Sequence, residues 1–168
     1  MAANAARKAL EDETHLSTLL KWPNDLVLTT GKIGGILIEA KTIGEKVTFA
    51  VVGIGVNINL TKRQLPPGAT STYIETGKRY DNRKLLQKII YQMRSKYGNL
   101  HKPTTIVNEW WRHCIHRSLA VEITSQHTTL TGITRRLEED GSLTIEVDEH
   151  KIARVRDGSI RLLDQLLP

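Results

Sequence analysis

Apolar and polar positions recur along this chain with two different periods, and the places where the period changes mark its elements. Residues 1–14 put Ala6, Leu10 and a scatter of further alanines at helical spacing with nothing to break the run, which predicts a first helix. "LSTLLKW" (16–22) reads as a short buried strand. Pro23 stops it, because proline pushes the preceding residue out of the helical region and removes a donor from the ladder. "LVLTTGKIGGILIEAK" reads as a hairpin, with Leu26 to Leu28 going up, Thr30-Gly31 turning and Ile33 to Ala40 returning. "KVTFAVVGIGVNINL" predicts a further long strand. It is β-branched and apolar on both faces for much of its length, so it is expected to be central and covered on both sides.

Beyond it, "LPPGATSTYIETGKRYD" reads as a turn-rich connection. From Asn82 the period returns to helical, with Leu85, Ile89, Ile90 and Met93 on one side and Gly98 as a stop. A shorter helix is expected from about Thr105 through Arg112. After residue 117 the texture changes again. "LAVEIT", "TLTGITRRLE", "SLTIEV" and "KIARVR" alternate as short strands, with Asp140-Gly141 a hairpin signal and Asp157-Gly158 another turn. Short strands joined by tight turns predict a small β-barrel, and a domain boundary is expected near Arg117.

Composition changes this picture little. With 168 residues, 39% hydrophobic and 25% charged, the chain is long enough for a real core and has the balance of an ordinary globular protein. No apolar run is long enough for a membrane-spanning helix, and the alanine-rich start turns acidic at Glu11, Asp12 and Glu13 without the apolar centre of a signal peptide. The single cysteine, Cys114, cannot form an internal disulfide and fits a reducing compartment, so a cytoplasmic location is expected. Charge is more informative. Residues 117–168 hold seven Lys/Arg against nine Asp/Glu, a net of −2, whereas residues 1–116 hold 17 against nine, a net of +8. That excess suits either an anionic partner or a plain solvated face.

Candidate chemistry gathers in the basic part. Gly34, Gly35, Gly53 and Gly55 fall on two neighbouring predicted strands, where missing side chains would let a ligand lie flat against the sheet; bulges or tight packing are the alternative. Lys21 stands at the end of a buried strand. A cation is costly there unless an anion meets it or its stem covers apolar surface while the head stays wet. Trp22 reads as core, and Asn24 and Asp25 as turn-stabilising residues. Asn57 and Asn59, two apart, interrupt one face of the long strand, either to read a nucleotide or to cap the strand end. His113, Cys114 and His116 crowd onto about one helical turn with no second cluster to complete a tetrahedral set, so no metal site is assigned. "GIGVN" lacks the third glycine and the following helix of a dinucleotide fingerprint.

In this order, "KWPNDL", "GKIGGILIE" and "VVGIGVNIN", followed by a helical segment and a small terminal barrel, resemble the biotin protein ligases. The resemblance implies an α+β fold. A class II aminoacyl-tRNA-synthetase-like mixed sheet with helices would occupy residues 1–116, and a Src-homology-3-like barrel residues 117–168. It implies ATP and biotin as substrates, with Mg²⁺, and formation of biotinyl-5′-adenylate. The biotinyl group would then pass to a lysine of a biotin carboxyl carrier domain. It assigns Lys21 to the biotin carboxylate and the α-phosphate as the catalytic cation. Gly34, Gly35, Ile36, Gly53 and Gly55 would form the surface under biotin and the adenylate, and Asn57 would belong to the nucleotide site. "KWPND" argues for biotin over a related acyl group such as lipoate. Members of the family carry a Gly-Arg-Gly-Arg loop and a Ser/Thr biotin contact ahead of this region, and some a DNA-binding winged helix. None of these is among the 168 residues. The expectation is therefore a truncated ligase, impaired alone, acting as a homodimer or with a complementing N-terminal half. The alternative is a non-catalytic remnant or subunit that binds a carrier protein or nucleotide.

Overall fold

A computed structural model describes residues 1–44, 46–125, 128–148 and 151–163. The chain separates into two compact units. One comprises Met1–Leu20 and Asn24–Gly98; the other comprises Lys21–Pro23 and the chain from Asn99 onward. Compactness thus draws the line at Gly98, ahead of the short helix before the C-terminal strands, whereas the change from helical to strand texture falls at Arg117.

In the first unit, helix α1 (Ala2–Thr14) fully buries Ala5, Ala6, Ala9 and Leu10. Small side chains bring its axis close to the elements it packs on, chiefly helix α3 (Asn82–Tyr97). The two helices are also joined by charge. The largely buried carboxylate of Glu13 meets Lys84 at 3.1 Å and Lys88 at 2.6 Å, one helical turn apart on α3, and this pairing holds its pKa below the usual carboxylate value. Of the four apolar positions expected on α3, Leu85 and Ile89 are buried, and Ile90 is largely exposed.

The sheet of this unit runs in the order β1 (Leu19–Lys21), β2 (Asp25–Leu28), β3 (Gly31–Ile43) and β4 (Lys46–Val56). The β2–β3 and β3–β4 ladders are both antiparallel. Gly31 opens β3 at φ +155°, where a Cβ would lie 2.7 Å from the Gly68 carbonyl oxygen. Only glycine allows the connection after β4 to come this close. The connection is held there by Lys32 N–H donating to Gly68 O (2.9 Å) and Thr70 N–H donating to Lys32 O (2.8 Å). Within that connection lies a short helix that the turn-rich sequence did not announce, α2 (Thr72–Thr76). Ser71 caps it, accepting from Ile74 N–H at 3.1 Å.

Two expectations about the long strand are corrected. β4 is the edge of the described sheet, not a central covered strand, and Val47, Phe49 and Val51 are each 56% exposed. An apolar β-branched run reports strand propensity; what covers it depends on elements distant in sequence, and here they cover only the near end of the β3–β4 hairpin. Asn57 and Asn59 lie beyond the strand, which ends at Val56. They tie loops rather than interrupt a face: Asn57 Nδ2 donates to Thr70 O (3.0 Å) and Asn59 Nδ2 to Tyr80 O (2.8 Å).

In the second unit, helix α4 (Pro103–Arg112) starts on a proline, whose missing N–H would be unpaired at that position anyway. Five antiparallel strands follow: β5 (Ala120–Thr124), β6 (Thr129–Leu137), β7 (Leu143–Asp148), β8 (Lys151–Val155) and β9 (Ser159–Leu162), in the order β8-β7-β6-β5-β9. Val121, Ile123, Leu143, Ile145 and Ile160 form its core. The two turn signals act as expected. At the β6–β7 turn, Gly141 has φ +82°, and the Asp140 carboxylate accepts from Ser142 N–H (3.0 Å) and Oγ–H (2.6 Å), which pulls its pKa down to about 2. Asp157-Gly158 turns the chain into β9, a strand the alternation did not reveal. The architecture is the expected mixture of helices with strands, in two antiparallel sheets.

Candidate functional site

Side chains alternate across a strand, so the cross-strand register decides which glycines share a face. Gly35 is opposite Gly55, and Leu37 is opposite Gly53, which puts these positions on one face of β3 and β4. Gly34, opposite Val56, is on the other. The two faces have opposite characters. A Cβ on Gly34 would lie 2.4 Å from Gly55 O and 3.3 Å from Leu26 Cδ1, so this glycine is demanded by packing. A Cβ on Gly35 would meet nothing nearer than 3.4 Å, on Gly53 nothing nearer than 3.6 Å, and on Gly55 nothing nearer than 3.9 Å. At these three positions the fold itself leaves room for a side chain.

Gly35, Gly53 and Gly55 line an open cavity of about 450 Å³, within the size range of small-molecule sites. Its remaining walls are Asn24, Asp25, Lys32, Ile36, Leu37 and Ile54. Asn24 shapes the wall through two bonds: its Nδ2 donates to Ile36 O and its own carbonyl accepts from Ile36 N–H, each at 2.8 Å. The turn after Pro23 is thereby clamped to β3, and Ile36 contributes its main chain while its side chain is buried. Asp25 pairs with Lys32 at 2.5 Å on the rim. Of the glycines singled out from sequence, three therefore meet at one cavity and Gly34 supports it from the packed face. Asn57 does not line it. Lys32 was not singled out, although a lysine two positions ahead of a glycine pair was a visible signal. Asn24 and Asp25 do stabilise the turn, as expected, and line the cavity as well.

Lys21 belongs to the second unit, together with Trp22 and Pro23. Among the described residues no carboxylate forms an ion pair with it, while neighbouring Trp22 is almost wholly buried. Trp22 N–H donates to His116 Nε2 at 3.0 Å, and Trp22 Nε1–H donates to Gly141 O at 3.0 Å. His116 is itself 1% exposed; burial, with the Lys21 charge nearby, pulls its pKa down to about 4, so it is neutral at pH 7. Cys114 Sγ lies 3.2 Å from His116 Nδ1, and burial pushes the thiol up to about 12. Cys114 and His116 are buried while His113 Nδ1 lies 2.9 Å from Glu109 O, and no metal-binding group of three His, Cys, Asp or Glu occurs among the described residues.

Residues 1–57 match the family described as "Biotin/lipoate A/B protein ligase family". The chain is 26% identical over 155 residues to the "Bifunctional ligase/repressor BirA" of Bacillus subtilis, covering 89% of this chain and 48% of that protein. It is 42% identical over 72 residues to the "Biotin--[acetyl-CoA-carboxylase] ligase" of Paracoccus denitrificans, covering 40% of this chain and 30% of that one. The chain spans about half the length of the Bacillus relative. Its fold matches the biotin protein ligase of Aquifex aeolicus solved in complex with biotin and ATP, with a TM-score of 0.79 at 24% identity, covering 96% of this chain and 69% of that one. The resemblance first visible in three short motifs is thus matched by a family model over residues 1–57 and by the described fold.

Proposed function

With residues 1–57 in the biotin/lipoate ligase family and the described fold that of a biotin protein ligase, we propose that this chain carries biotin-ligating machinery. Biotin and ATP are the substrates. The biotin carboxylate attacks the α-phosphorus, pyrophosphate leaves, and the ε-amine of a carrier-domain lysine then attacks the acyl carbon and expels AMP. The observation that carries this reading is the side-chain-free face of Gly35, Gly53 and Gly55, where the fold has room for side chains and holds none. A flat, partly apolar acyl adenylate suits bare backbone edged by a few polar groups.

Lys21 supplies the cation. Without a carboxylate partner among the described residues, its ammonium is available to oxygens that gain charge as the acyl phosphate forms and breaks. Ile36 presents its main chain beside the glycines, and Asn57, its Nδ2 committed to Thr70, offers Oδ1 to the nucleotide. Magnesium would be carried by the ATP phosphates rather than by a protein cage, and would supply neutralisation of their charge. The acceptor is a biotin carboxyl carrier domain; the Paracoccus relative is named for acetyl-CoA carboxylase.

Incubation with biotin, MgATP and a carrier domain tests this, reading pyrophosphate release and carrier mass. From this chain alone, weak release and a small fraction of carrier with a biotin-sized mass increase are expected. Tight binding of a biotinyl-adenylate analogue without either would support a non-catalytic module instead, and no binding would remove the glycine face from the site.

A further inference from the structure

The chemistry proposed above leaves one buried titratable group without a task. His116 lies between α4 and β5, packed against the rings of Trp110 and Trp111 at centroid distances of 6.5 and 6.4 Å. Its Nε2 accepts the Trp22 amide proton, which requires the neutral ring with the proton on Nδ1; the Cys114 sulfur lies against the ring, 3.2 Å from Nδ1 and 3.5 Å from Nε2. The His116 carbonyl is held in turn by the Thr134 hydroxyl, which fastens this corner to β6. Trp22 is fixed a second time by its indole N–H on Gly141 O in the β6–β7 turn. Two anchors on one residue, from separate parts of the second unit, are more than ending a strand requires.

Lys21 is the residue immediately before this doubly anchored position, and it packs with the second unit although Leu20 and Asn24 on either side pack with the first. We propose that His116 is a positioning residue for Lys21: by accepting the Trp22 amide proton it fixes the main chain from which the lysine departs. The proposal rests on the reading of Lys21 as the cation of acyl transfer. Backbone position matters because a flexible four-carbon side chain amplifies any error at its root, and small misplacements of a catalytic group cost large factors in rate. The charged and titratable groups acting on the imidazole and on the thiol beside it are the Lys21 ammonium, the Cys114 thiol and Arg117; the Trp110 and Trp111 rings and the Thr134 hydroxyl, already committed to the His116 carbonyl, also pack here. None can replace Nε2 as an acceptor for Trp22.

Two variants separate the acceptor from the packing. His116→Leu keeps an apolar body without an acceptor, and His116→Gln restores an oxygen within reach of the amide. Amide hydrogen exchange at Trp22 should be slow in the parent, roughly tenfold or more faster in His116→Leu, and slowed again in His116→Gln. The kcat for adenylate formation should fall roughly tenfold or more in His116→Leu, with KM for biotin and ATP within about twofold, and recover in His116→Gln. Undiminished kcat in His116→Leu, or fast Trp22 exchange in the parent, would overturn the proposal. Failure of His116→Gln to recover while its secondary structure matches the parent would overturn it too, since the role would then be packing. An inactive parent with the exchange pattern intact would sink the adenylation reading and leave the anchor standing.

Discussion

The two neighbourhoods that bear on function are built in opposite ways. On the β3–β4 hairpin a surface is made by leaving side chains out, so that Gly35, Gly53 and Gly55 expose bare backbone where a Cβ would fit. Around Lys21 a position is made by adding constraints, with a buried tryptophan pinned through its amide and its indole. The contrast follows from what each must do. A flat ligand needs shape and tolerates backbone as a wall, whereas a cation on a flexible stem needs a fixed root. Damage to the first should show in binding, and damage to the second in turnover.

The largest effect should come from the lysine. Lys21→Met keeps the stem and removes the charge, and under the proposed reaction adenylate formation should fall roughly 100- to 1,000-fold with the fold unchanged. A pyrophosphate-release assay checks it, and near-parental turnover would take Lys21 out of the site.

Next is the acid sensitivity of its anchor. His116 has a folded-state pKa of about 4 against an ordinary 6.5, so the unfolded chain binds a proton more readily. The stability that buried neutral His116 contributes is fully present above about pH 6.5 and is lost as pH falls towards 4, by up to about 3 kcal/mol. Urea unfolding at pH 7 and pH 4.5 should show this loss in the parent and a smaller one in His116→Gln. Equal losses would assign the acid sensitivity to other groups.

The glycines then divide by face. Gly34→Ala drives a Cβ into the Gly55 carbonyl and should destabilise the protein by about 2 kcal/mol, measured by urea unfolding. Gly55→Ala should cost about 0.5 kcal/mol or less, because the added methyl makes only an ordinary contact with Gly35 O at 3.9 Å, yet it should weaken binding of a biotinyl-adenylate analogue. Equal stability costs for the two would erase the distinction between the faces.

Much of this was legible in the residues, for identifiable reasons. Helix α3 and the Asp140-Gly141 hairpin are local: 3.6-residue periodicity and a residue at positive φ need no knowledge of the rest of the chain. The glycine site was legible as four positions on two strands, but not its division, because which glycine faces the packed side depends on register as well as on periodicity. β4 was misjudged as central because cover is supplied from a distance. His116 was visible only as a dismissed metal ligand; its partner Trp22 is 94 residues away, and no local pattern records such a bond. Lys21 stands out in the sequence because strand end, charge and proline lie side by side in "LKWPNDL", and its role remains the proposal made above.

The smallest effect concerns the rim of the glycine face. Lys32 reaches Asp25 at 2.5 Å, but its side chain is 51% exposed, so solvent screens the pair and its net worth is at most about 1 kcal/mol. Lys32→Ala should leave unfolding nearly unchanged. Binding is a different matter, because removing the ammonium strips the cavity of the one cation that lines it among the described residues and leaves the Asp25 carboxylate unpaired beside Gly35. An anionic adenylate should then bind a few-fold more weakly, with a shallower dependence on salt, since one fewer screened attraction remains. Lys32→Ala with Asp25→Asn removes both charges and should recover part of that loss. If the single and double variants bind alike, the Asp25–Lys32 pair is a surface ion pair without bearing on the ligand, and the glycine face works by shape alone.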